Sequence, residues 1–313
     1  ALKASIQLKD SILIARALRQ TAGMYSTQSK INYSIKLYNA SIEISRKINY
    51  LKGLGSALND LGSMFLMISK YDQAIVLINE SILTKIKIHD TVNLSNSYRK
   101  LSMIYFEIGH YEKSIDYILK SLKIANQINN QKQLSFAYYL LGMLYTSTKD
   151  YGKSLQYLNK SLKIKKKNHD YDEIGMIYTR IGGLFSQVHK HDSAQAYLRK
   201  ANTIHKEVGD EYLISINNSE MGNLFLQMQN YDSVNFYLKK SMTFDSSQNI
   251  SQYLISDYLL LTKNSYQHKK YQEAQNYLQK ASKLIDSNAT LLNQSNYAEL
   301  QSLIYEKLNK DKE

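Results

Sequence analysis

The chain of 313 residues contains no proline, no cysteine and no tryptophan. Without cysteine it forms no disulfide bond, and it cannot build a zinc site that requires thiolate ligands. The absence of cysteine does not indicate the cellular compartment, because a chain without thiols suits reducing and oxidising surroundings alike. Its apolar runs are only a few residues long, as in Tyr258 to Leu261, whereas a membrane-spanning helix needs roughly 20 apolar residues. Disulfide scaffolds and, within this segment, transmembrane helices are therefore excluded.

What the sequence does contain is a strict period of 40 residues with no insertion. One column of the repeat is aliphatic, the next is mostly glycine, and a third is aromatic. A constant period in this range marks a repeat architecture, in which each unit buries its apolar face only against its neighbours. The three columns are Leu61, Leu101, Leu141, Ile181, Met221 and Leu261; Gly62, Gly142, Gly182 and Gly222; and Phe65, Tyr105, Tyr145, Phe185 and Phe225.

Each period resolves into two amphipathic helices, because its apolar side chains recur at spacings of three and four. In residues 133–168 a first helix carries Leu134, Tyr138 and Leu141, and a polar break at 147–150 separates it from a second helix. Glycine inside a helix costs about 1 kcal/mol relative to alanine. Its return at one position of the first helix predicts that the partner helix approaches closely there.

The pattern resembles the signature of the tetratricopeptide repeat family, with tyrosine in place of the usual tryptophan. It consists of Tyr138, Leu141, Gly142, Tyr145, Ser154 and Leu158, and it returns at Tyr178, Ile181, Gly182, Phe185, Ala194 and Leu198. The unit is longer than the roughly 34 residues of the family, and the proline that closes a unit is missing. The resemblance implies an all-α fold, a right-handed superhelix of antiparallel helix pairs whose first helices line a concave surface.

Repeat phase predicts that residues 1–313 form a single solenoid cut from a longer protein. Residues 1–9 match the end of a preceding second helix, and 293–308 match the unpaired first helix of a truncated next repeat. The apolar face of that last helix favours packing against missing sequence or self-association through exposed terminal helices. Seven helix pairs lie between the two fragments, at residues 13–48, 53–88, 93–128, 133–168, 173–207, 213–247 and 253–287.

Positions on the first helices that vary while the framework repeats are the candidate contacts for a partner. They are basic and polar toward one end of the chain and apolar and pliant further on. Arginine suits a carboxylate or peptide backbone, and methionine and aromatic residues suit apolar anchors, so the expected partner is a peptide or protein segment in the concave groove. The alternative is that these positions are merely solvated or packed. The candidates are Arg16, Arg19, Asn59, Asn96, Arg99, Met103, Phe136, Tyr139, Met143, Met176, Thr179 and Asn223.

Neither catalysis nor a bound metal or cofactor is expected in this segment. The seven histidines fall mostly at turns, and none has the helical spacing of a zinc site. His89-Asp90 and His169-Asp170 look like a phosphohydrolase dipeptide, but they occupy the same turn two repeats apart, so repeat phase explains them. No glycine-rich phosphate loop is present. The segment is therefore predicted not to be an enzyme.

The long units resemble the repeat regions of Bacteroidetes-like sensor histidine kinases and helix-turn-helix regulators, and the peptide-sensing repeats of quorum-response regulators. That resemblance implies the signal-sensing region of a bacterial two-component sensor or transcriptional regulator. The parent chain could then be a histidine kinase. A sensor region would be periplasmic and any other module cytoplasmic, with membrane contact only through flanking sequence.

Two further functions stay open. One is a structural scaffold for protein assembly whose groove is idle. The other is binding of nucleic acid or an anionic surface, because the formal net charge is +13. Lysine at the end of a helix is favoured by the helix dipole, which makes nucleic acid the less favoured partner. The basic cluster lies on a second, convex helix and consists of Lys160, Lys163, Lys165, Lys166 and Lys167.

Overall fold

The computed structural model describes residues 10–28, 30–248, 250–285 and 291–310, and these residues form fifteen α-helices and no strand. The helix end predicted at residues 1–9 lies outside the described residues. The helices are α1 Ser11–Thr27, α2 Ile31–Lys47, α3 Leu51–Met67, α4 Tyr71–Lys87, α5 Thr91–Glu107, α6 Tyr111–Gln127, α7 Gln131–Ser147, α8 Tyr151–Asn168, α9 Tyr171–Gln187, α10 His191–Val208, α11 Glu211–Gln227, α12 Tyr231–Ser247, α13 Ser251–Gln267, α14 Tyr271–Ser282 and α15 Leu291–Lys310.

Odd-numbered helices are the first helices of the repeats and even-numbered ones are the second helices. The chain divides into two compact units: unit 1 ends at Leu140 and unit 2 begins at Leu141, within α7. In each unit a first helix packs on its second helix, a second helix packs on the next first helix, and successive first helices touch. Within each unit, two described helices that contact each other are either consecutive in the sequence or have one helix between them in the sequence. The predicted all-α solenoid fold is confirmed.

Most of the helices contain 17 residues and are followed by a turn of three residues, so successive helices start 20 residues apart. Two helices together make up the sequence period of 40 residues. The middle residue of the turn adopts the left-handed conformation, which stops the helix without proline. The next amide then donates back across the turn, as Tyr50 N–H does to the Ser45 carbonyl at 2.8 Å. The left-handed residues are Asn49, Ser69, His89, Gly109, Asn129, Lys149, His169, His189, Gly209, Gln229 and Lys269. Three of the histidines, His89, His169 and His189, thus occupy this left-handed turn position.

The helices begin about two residues before the starts assigned from the apolar pattern. The third first helix, for example, starts at Thr91, and the pattern placed its start at residue 93. The first-turn residues Thr91 and Val92 are exposed, so they do not contribute to the apolar face from which the starts were read. At the other end α14 stops at Ser282, earlier than the assigned end at 287, and residues 286 and 287 lie outside the described residues.

Glycine allows the two helices of a pair to approach closely, as its recurrence predicted. A Cβ on Gly62 would lie 2.7 Å from Ile78 Cδ1, and one on Gly182 would lie 2.6 Å from Leu198 Cγ. Real Cβ atoms essentially never come that close to another heavy atom. In the pair α5 and α6, serine replaces the glycine, and Ser102 Oγ donates to the Ser114 carbonyl at 2.8 Å. The pairing thus depends on a small residue at this position.

An aromatic stack accompanies the close approach in most repeats. In unit 1 the rings of Tyr105 and Tyr117 are nearly parallel with centroids 5.5 Å apart. Such offset stacks add about 0.5–1.5 kcal/mol beyond the area they bury. Unit 2 repeats the stack in the pairs Tyr145–Tyr157, Phe185–Tyr197 and Phe225–Tyr237. The pair α13 and α14 lacks it, because serine replaces the first aromatic residue; the buried hydroxyl of Ser265 has no hydrogen-bond partner in the described part of the chain.

A buried side chain near the end of the second helices α2, α4, α6, α8, α10 and α12 lies between one repeat and the next, and its identity changes along the chain. We call this position the junction residue. In unit 1 the junction residue of α4 is Lys85, which is only 2% exposed. Its ammonium donates to Ser97 Oγ at 2.6 Å, and Ser97 donates to Asn59 Oδ1 at 2.9 Å, so three helices are connected. Burial lowers the pKa of Lys85 to about 8.

In unit 2 the equivalent junction residue of α10 is His205, which is fully buried. Its Nε2 lies 3.2 Å from Thr179 Oγ1, and Thr179 donates to Asn217 Oδ1 at 3.2 Å. A Cβ on Gly175 would lie 2.6 Å from His205 Cε1, so this glycine provides the space for the imidazole. Burial lowers the pKa of His205 and favours the neutral ring.

The next junction of unit 2 buries two carboxyl groups. The junction residue Asp245 accepts hydrogen bonds from Ser215 at 2.8 Å and Ser241 at 3.3 Å. Asp257 of α13 is also fully buried and accepts from Ser219 at 2.5 Å. Burial raises the pKa of Asp257 to about 7, and the nearby charge of Asp245 adds to the rise. Asp257 therefore keeps a proton at pH values where an exposed aspartic acid is ionised.

Replacing Gly182 by alanine tests the close approach of paired helices. We expect the free energy of unfolding to fall by about 1–3 kcal/mol, because the added methyl overlaps Leu198. Helix propensity alone would favour alanine by about 1 kcal/mol, so the sign of the change in the free energy of unfolding distinguishes the packing effect from the propensity effect. Gly152→Ala is the matched control: Gly152 is exposed in α8, with its nearest neighbour 3.9 Å from the new Cβ, and this change should stabilise. Urea denaturation followed by circular dichroism measures both, and a stabilised Gly182→Ala protein would contradict the packing argument.

The substitution Asp257→Asn tests the buried carboxyl group. Its raised pKa means that its favourable contribution is present below pH 3.8 and is lost as the pH rises through about 7. The free energy of unfolding of the wild type should therefore fall between about pH 4 and about pH 7, and that of Asp257→Asn should fall less. Asparagine fits this position, since Asn217 occupies it one repeat earlier. The control Asp232→Asn, at an exposed site in α12, should keep the wild-type pH dependence. If the free energy of unfolding changes with pH by the same amount in all three proteins, the expectation is refuted.

Candidate binding surface

Most of the predicted contact residues lie on first helices with part of the side chain exposed. In both units they occupy positions that the framework of glycine, leucine and aromatic residues does not use. In unit 1 these are Arg16, Arg19, Asn96, Arg99, Met103, Phe136 and Tyr139, and in unit 2 they are Met143, Met176 and Asn223.

Asn59 and Thr179 are corrections to the predicted set, because the structure buries both side chains. Asn59 is 5% exposed and accepts from Ser97, and Thr179 is 3% exposed and donates to Asn217. Their polar groups are used to connect successive first helices. They are therefore not positioned to contact a partner.

Five of the candidates in unit 1, residues Asn96, Arg99, Met103, Phe136 and Tyr139, are brought together on α5 and α7; we call them the unit 1 patch. The guanidinium of Arg99 lies over the Phe136 ring, 4.4 Å from its centroid. Its Nη2 and Nε donate to Asn96 Oδ1 at 2.5 and 3.2 Å, and its Nη1 lies 3.6 Å from Met103 Sδ. The ring of Tyr139 lies 6.4 Å from that of Phe136. Arg99 is thus held in one orientation while it bridges two first helices.

The environment of the unit 1 patch is cationic. Burial lowers the pKa of Arg99, although a guanidinium remains charged at any physiological pH. Burial and the charge of Arg99 lower the pKa of the adjacent Lys100 to about 8, and Asp60 opposes this. Asp60 itself pairs with Arg19 at 2.7 Å. Lys100 was not among the predicted residues.

The sequence signal for Lys100 is a column of charged residues on the first helices. Asp60, Lys100, Arg180 and Glu220 share one phase of the repeat. In unit 2, Arg180 Nη1 lies 3.9 Å from Glu220 Oε1, so two members of the column form a cross-repeat ion pair there. Examining this column for charged residues, as the other columns were examined for side-chain size, would have identified Lys100.

Unit 2 contains a cleft of about 340 Å³ between the first helices α11, α13 and α15. Asn223 is the one predicted residue among those lining it. The lining combines amide side chains with leucines, a tyrosine, a lysine and a glutamate. Asn293 and Asn296 of α15 were missed, because the last helix was read only for its apolar face. The lining residues are Asn223, Ser256, Leu259, Leu260, Lys263, Tyr266, Gln267, Asn293, Asn296, Glu299, Leu300 and Leu303.

The basic cluster of the second helix α8 is smaller than the sequence suggested. Lys165 is buried, because it occupies the junction position of its repeat. Its ammonium pairs with Asp170 at 3.2 Å and Glu173 at 2.9 Å. The other four lysines of the cluster, Lys160, Lys163, Lys166 and Lys167, remain exposed. The number of lysines available to an anionic partner is therefore reduced.

The described residues contain no cluster of three or more histidine, aspartate or glutamate side chains that could hold a metal ion. Among the described helices, none combines the length and the hydropathy that a membrane crossing requires. The arrangement on the first helices, namely fixed cations beside aromatic rings and an amide-lined cleft, can bind polar and apolar groups at once.

Known proteins give the same picture of the fold. A model of the tetratricopeptide repeat family matches residues 86–167, about a quarter of the chain. A comparison with curated protein sequences found no match.

Three solved structures illustrate the similarity in fold. The apo form of RapI superposes with a TM-score of 0.73 at 12% identity, covering 86% of this chain and 97% of RapI. A Rap protein complexed with Competence and Sporulation Factor gives 0.69 at 13% identity, with 93% and 76% covered. A tetratricopeptide repeat protein from Parabacteroides merdae gives 0.65 at 15% identity, with 93% and 98% covered. Residues 86–167 therefore match the tetratricopeptide repeat family, and the described chain has the fold of a tetratricopeptide repeat protein.

Proposed function

We propose that this chain is a recognition module that binds a peptide or a segment of a protein on its first helices. The observation that carries the proposal is the unit 1 patch, where Arg99 is fixed over Phe136 by its bonds to Asn96. A preordered arginine loses little entropy on binding, and its fork suits a carboxylate or a peptide carbonyl. Met103 and Tyr139 beside it offer pliant and aromatic surface for an apolar anchor.

The cleft of unit 2 supports the same function independently. Side-chain amides such as Asn223 and Asn296 both donate and accept hydrogen bonds, which matches a peptide backbone. Leu259 and Leu303 supply apolar lining between them. A cavity of about 340 Å³ holds one or two side chains of a bound segment. Among proteins of similar fold, the Rap protein complexed with Competence and Sporulation Factor gives a precedent for a bound signalling factor.

The finer proposal is that the module receives a signal for a bacterial two-component sensor or transcriptional regulator, as the long repeat units suggest. Its parent could be a histidine kinase, and the segment itself would then contribute binding and no catalysis. A sensor of this type would place the module in the periplasm, and a regulator would place it in the cytoplasm. A kinase domain or a DNA-binding domain identified in the full-length protein would decide between them.

The alternatives make different use of the surface. A scaffold would bind partners through second helices or helix ends, and a basic surface would bind anions through Lys163, Lys166 and Lys167. Self-association would use the last helix, where Leu292 and Tyr305 are each 69% exposed while Leu300 and Ile304 are buried against α13 and α14. The unit 1 patch would be idle in all three cases.

Selection from a displayed library of random peptides tests the recognition function. We expect the full chain to enrich peptides that combine an acidic residue with an apolar anchor. Arg99→Gln should weaken the best enriched peptide about tenfold or more, since truncating a central arginine costs roughly 2 kcal/mol. Fluorescence anisotropy of the labelled peptide measures the affinity, and circular dichroism checks that the variant is folded.

The matched control is Arg46→Gln, an exposed arginine of the second helix α2 that pairs with Glu80. It should leave the peptide affinity unchanged. Failure to enrich any peptide above an unrelated helical protein would refute the proposal. Loss of binding with Arg46→Gln but not with Arg99→Gln would favour the scaffold alternative.

A further inference from the structure

The first junction of unit 1 lacks the side chain that fills the next one. The second helix α2 carries Ser45 at the junction position, where α4 carries Lys85 one repeat later. The side chain of Lys85 runs beside Gly55, whose Cβ position lies 3.3 Å from Lys85 Cγ, and its ammonium reaches Ser97. Serine is several atoms shorter, and Ala57 stands in the place of Ser97. The junction side chain of α2 therefore does not fill the space that lysine fills one repeat later.

A cavity of about 250 Å³ lies between α1, α2 and α3 at this point. Its walls include Ala15, Arg19, Ser41 and Tyr50, the residues that precede by one repeat Gly55, Asn59, Ser81 and Asp90 around Lys85. The other lining residues are Arg16, Lys52, Gly53 and Ser56. Gly53 is required for this shape, because a Cβ there would overlap the Tyr50 ring.

The charge of the lining is strongly positive. Three cationic side chains, Arg16, Arg19 and Lys52, line the cavity, and no carboxylate does. Arg19 uses one guanidinium nitrogen, Nη1, in its ion pair with Asp60 at 2.7 Å, which leaves its other N–H donors. Among the described residues neither Arg16 nor Lys52 takes part in an ion pair. With Asp60 counted, the group of four side chains keeps two uncompensated positive charges.

A second observation points to a missing partner in the same place. The hydroxyl of Ser45 is fully buried and has no hydrogen-bond partner in the part of the chain that is described. It lies 3.2 Å from the Cβ position of Gly53, a residue that lines the cavity, although Ser45 itself is not one of the lining residues. A buried hydroxyl without a partner costs about 1–3 kcal/mol. A ligand with acceptor oxygens would remove that cost.

We propose that this cavity is an anion site that binds a phosphate group. Two uncompensated charges match a phosphate dianion better than a single carboxylate. Guanidinium and ammonium donors line the cavity, and a phosphate has enough acceptor oxygens to satisfy several of them together. The phosphate is either a free small molecule or part of a phosphorylated side chain. The site is separate from the unit 1 patch, and its test does not depend on peptide recognition.

Phosphorus NMR titration of the full chain with inorganic phosphate tests the site. We expect saturable binding that weakens as salt is added, because the contacts are charged and partly exposed. The double variant Arg16→Gln with Lys52→Gln should bind at least about tenfold more weakly, since two charge-assisted hydrogen bonds are lost. Both residues are exposed, so the fold should persist, and circular dichroism verifies this.

Lys132→Gln is the matched control, since Lys132 is an exposed lysine of α7 in the same unit and outside the cavity. It should keep wild-type affinity for phosphate. A capped tripeptide with a central phosphoserine distinguishes the sources: binding as tight as inorganic phosphate indicates a phosphorylated side chain, and exclusion indicates a free anion. The proposal is overturned if phosphate does not bind, if the double variant and the control weaken equally, or if acetate binds as tightly as phosphate.

Discussion

The close approach of the two helices in each pair is the constraint on which the rest of the structure depends. At Gly182 there is no space for even a methyl group against Leu198. Where glycine is absent, as at Ser102, the replacement is small and its hydroxyl satisfies a carbonyl of the partner helix. At Gly182 itself, a larger side chain would have to displace Leu198 of the partner helix. Since each pair rests only on adjacent helices, the stacking of its neighbours would then also be disturbed.

Because the interior of a pair tolerates little change, the chain varies mainly where one pair meets the next. A buried polar side chain is stable only when its hydrogen bonds are satisfied. Two junctions meet this condition in different ways: Lys85 is matched by Ser97 and Asn59, whereas Asp245 is matched by Ser215 and Ser241. An exchange of two repeats would leave a buried charge beside the wrong partner. The junctions therefore help to specify the order in which the repeats stack.

The period and the helical faces could be predicted from the sequence because both arise from repeated apolar burial. The helix starts could not, since a first turn such as that at Thr91 is exposed and carries no apolar signal. Burial of individual polar residues was also unpredictable from phase alone. Asn59 and Arg99 occupy the same column, yet the short amide stays between the helices and the long guanidinium reaches the surface. Side-chain length, and not the position in the repeat, separates the two outcomes.

The same effect of length explains why the character of the surface changes along the chain. In unit 1 the long residues Arg19 and Arg99 extend out of this column and make the first helices cationic. In unit 2 the column holds Thr179 and Ser219, whose hydroxyls are used in contacts with the next first helix. Amides and leucines there line a cleft instead. A solenoid can thus alter the chemistry of one surface position without altering the packing of the pair that carries it. Surfaces of different chemistry can coexist in one chain for this reason: framework residues maintain the stack, and the length and charge of a few others determine the character of the surface.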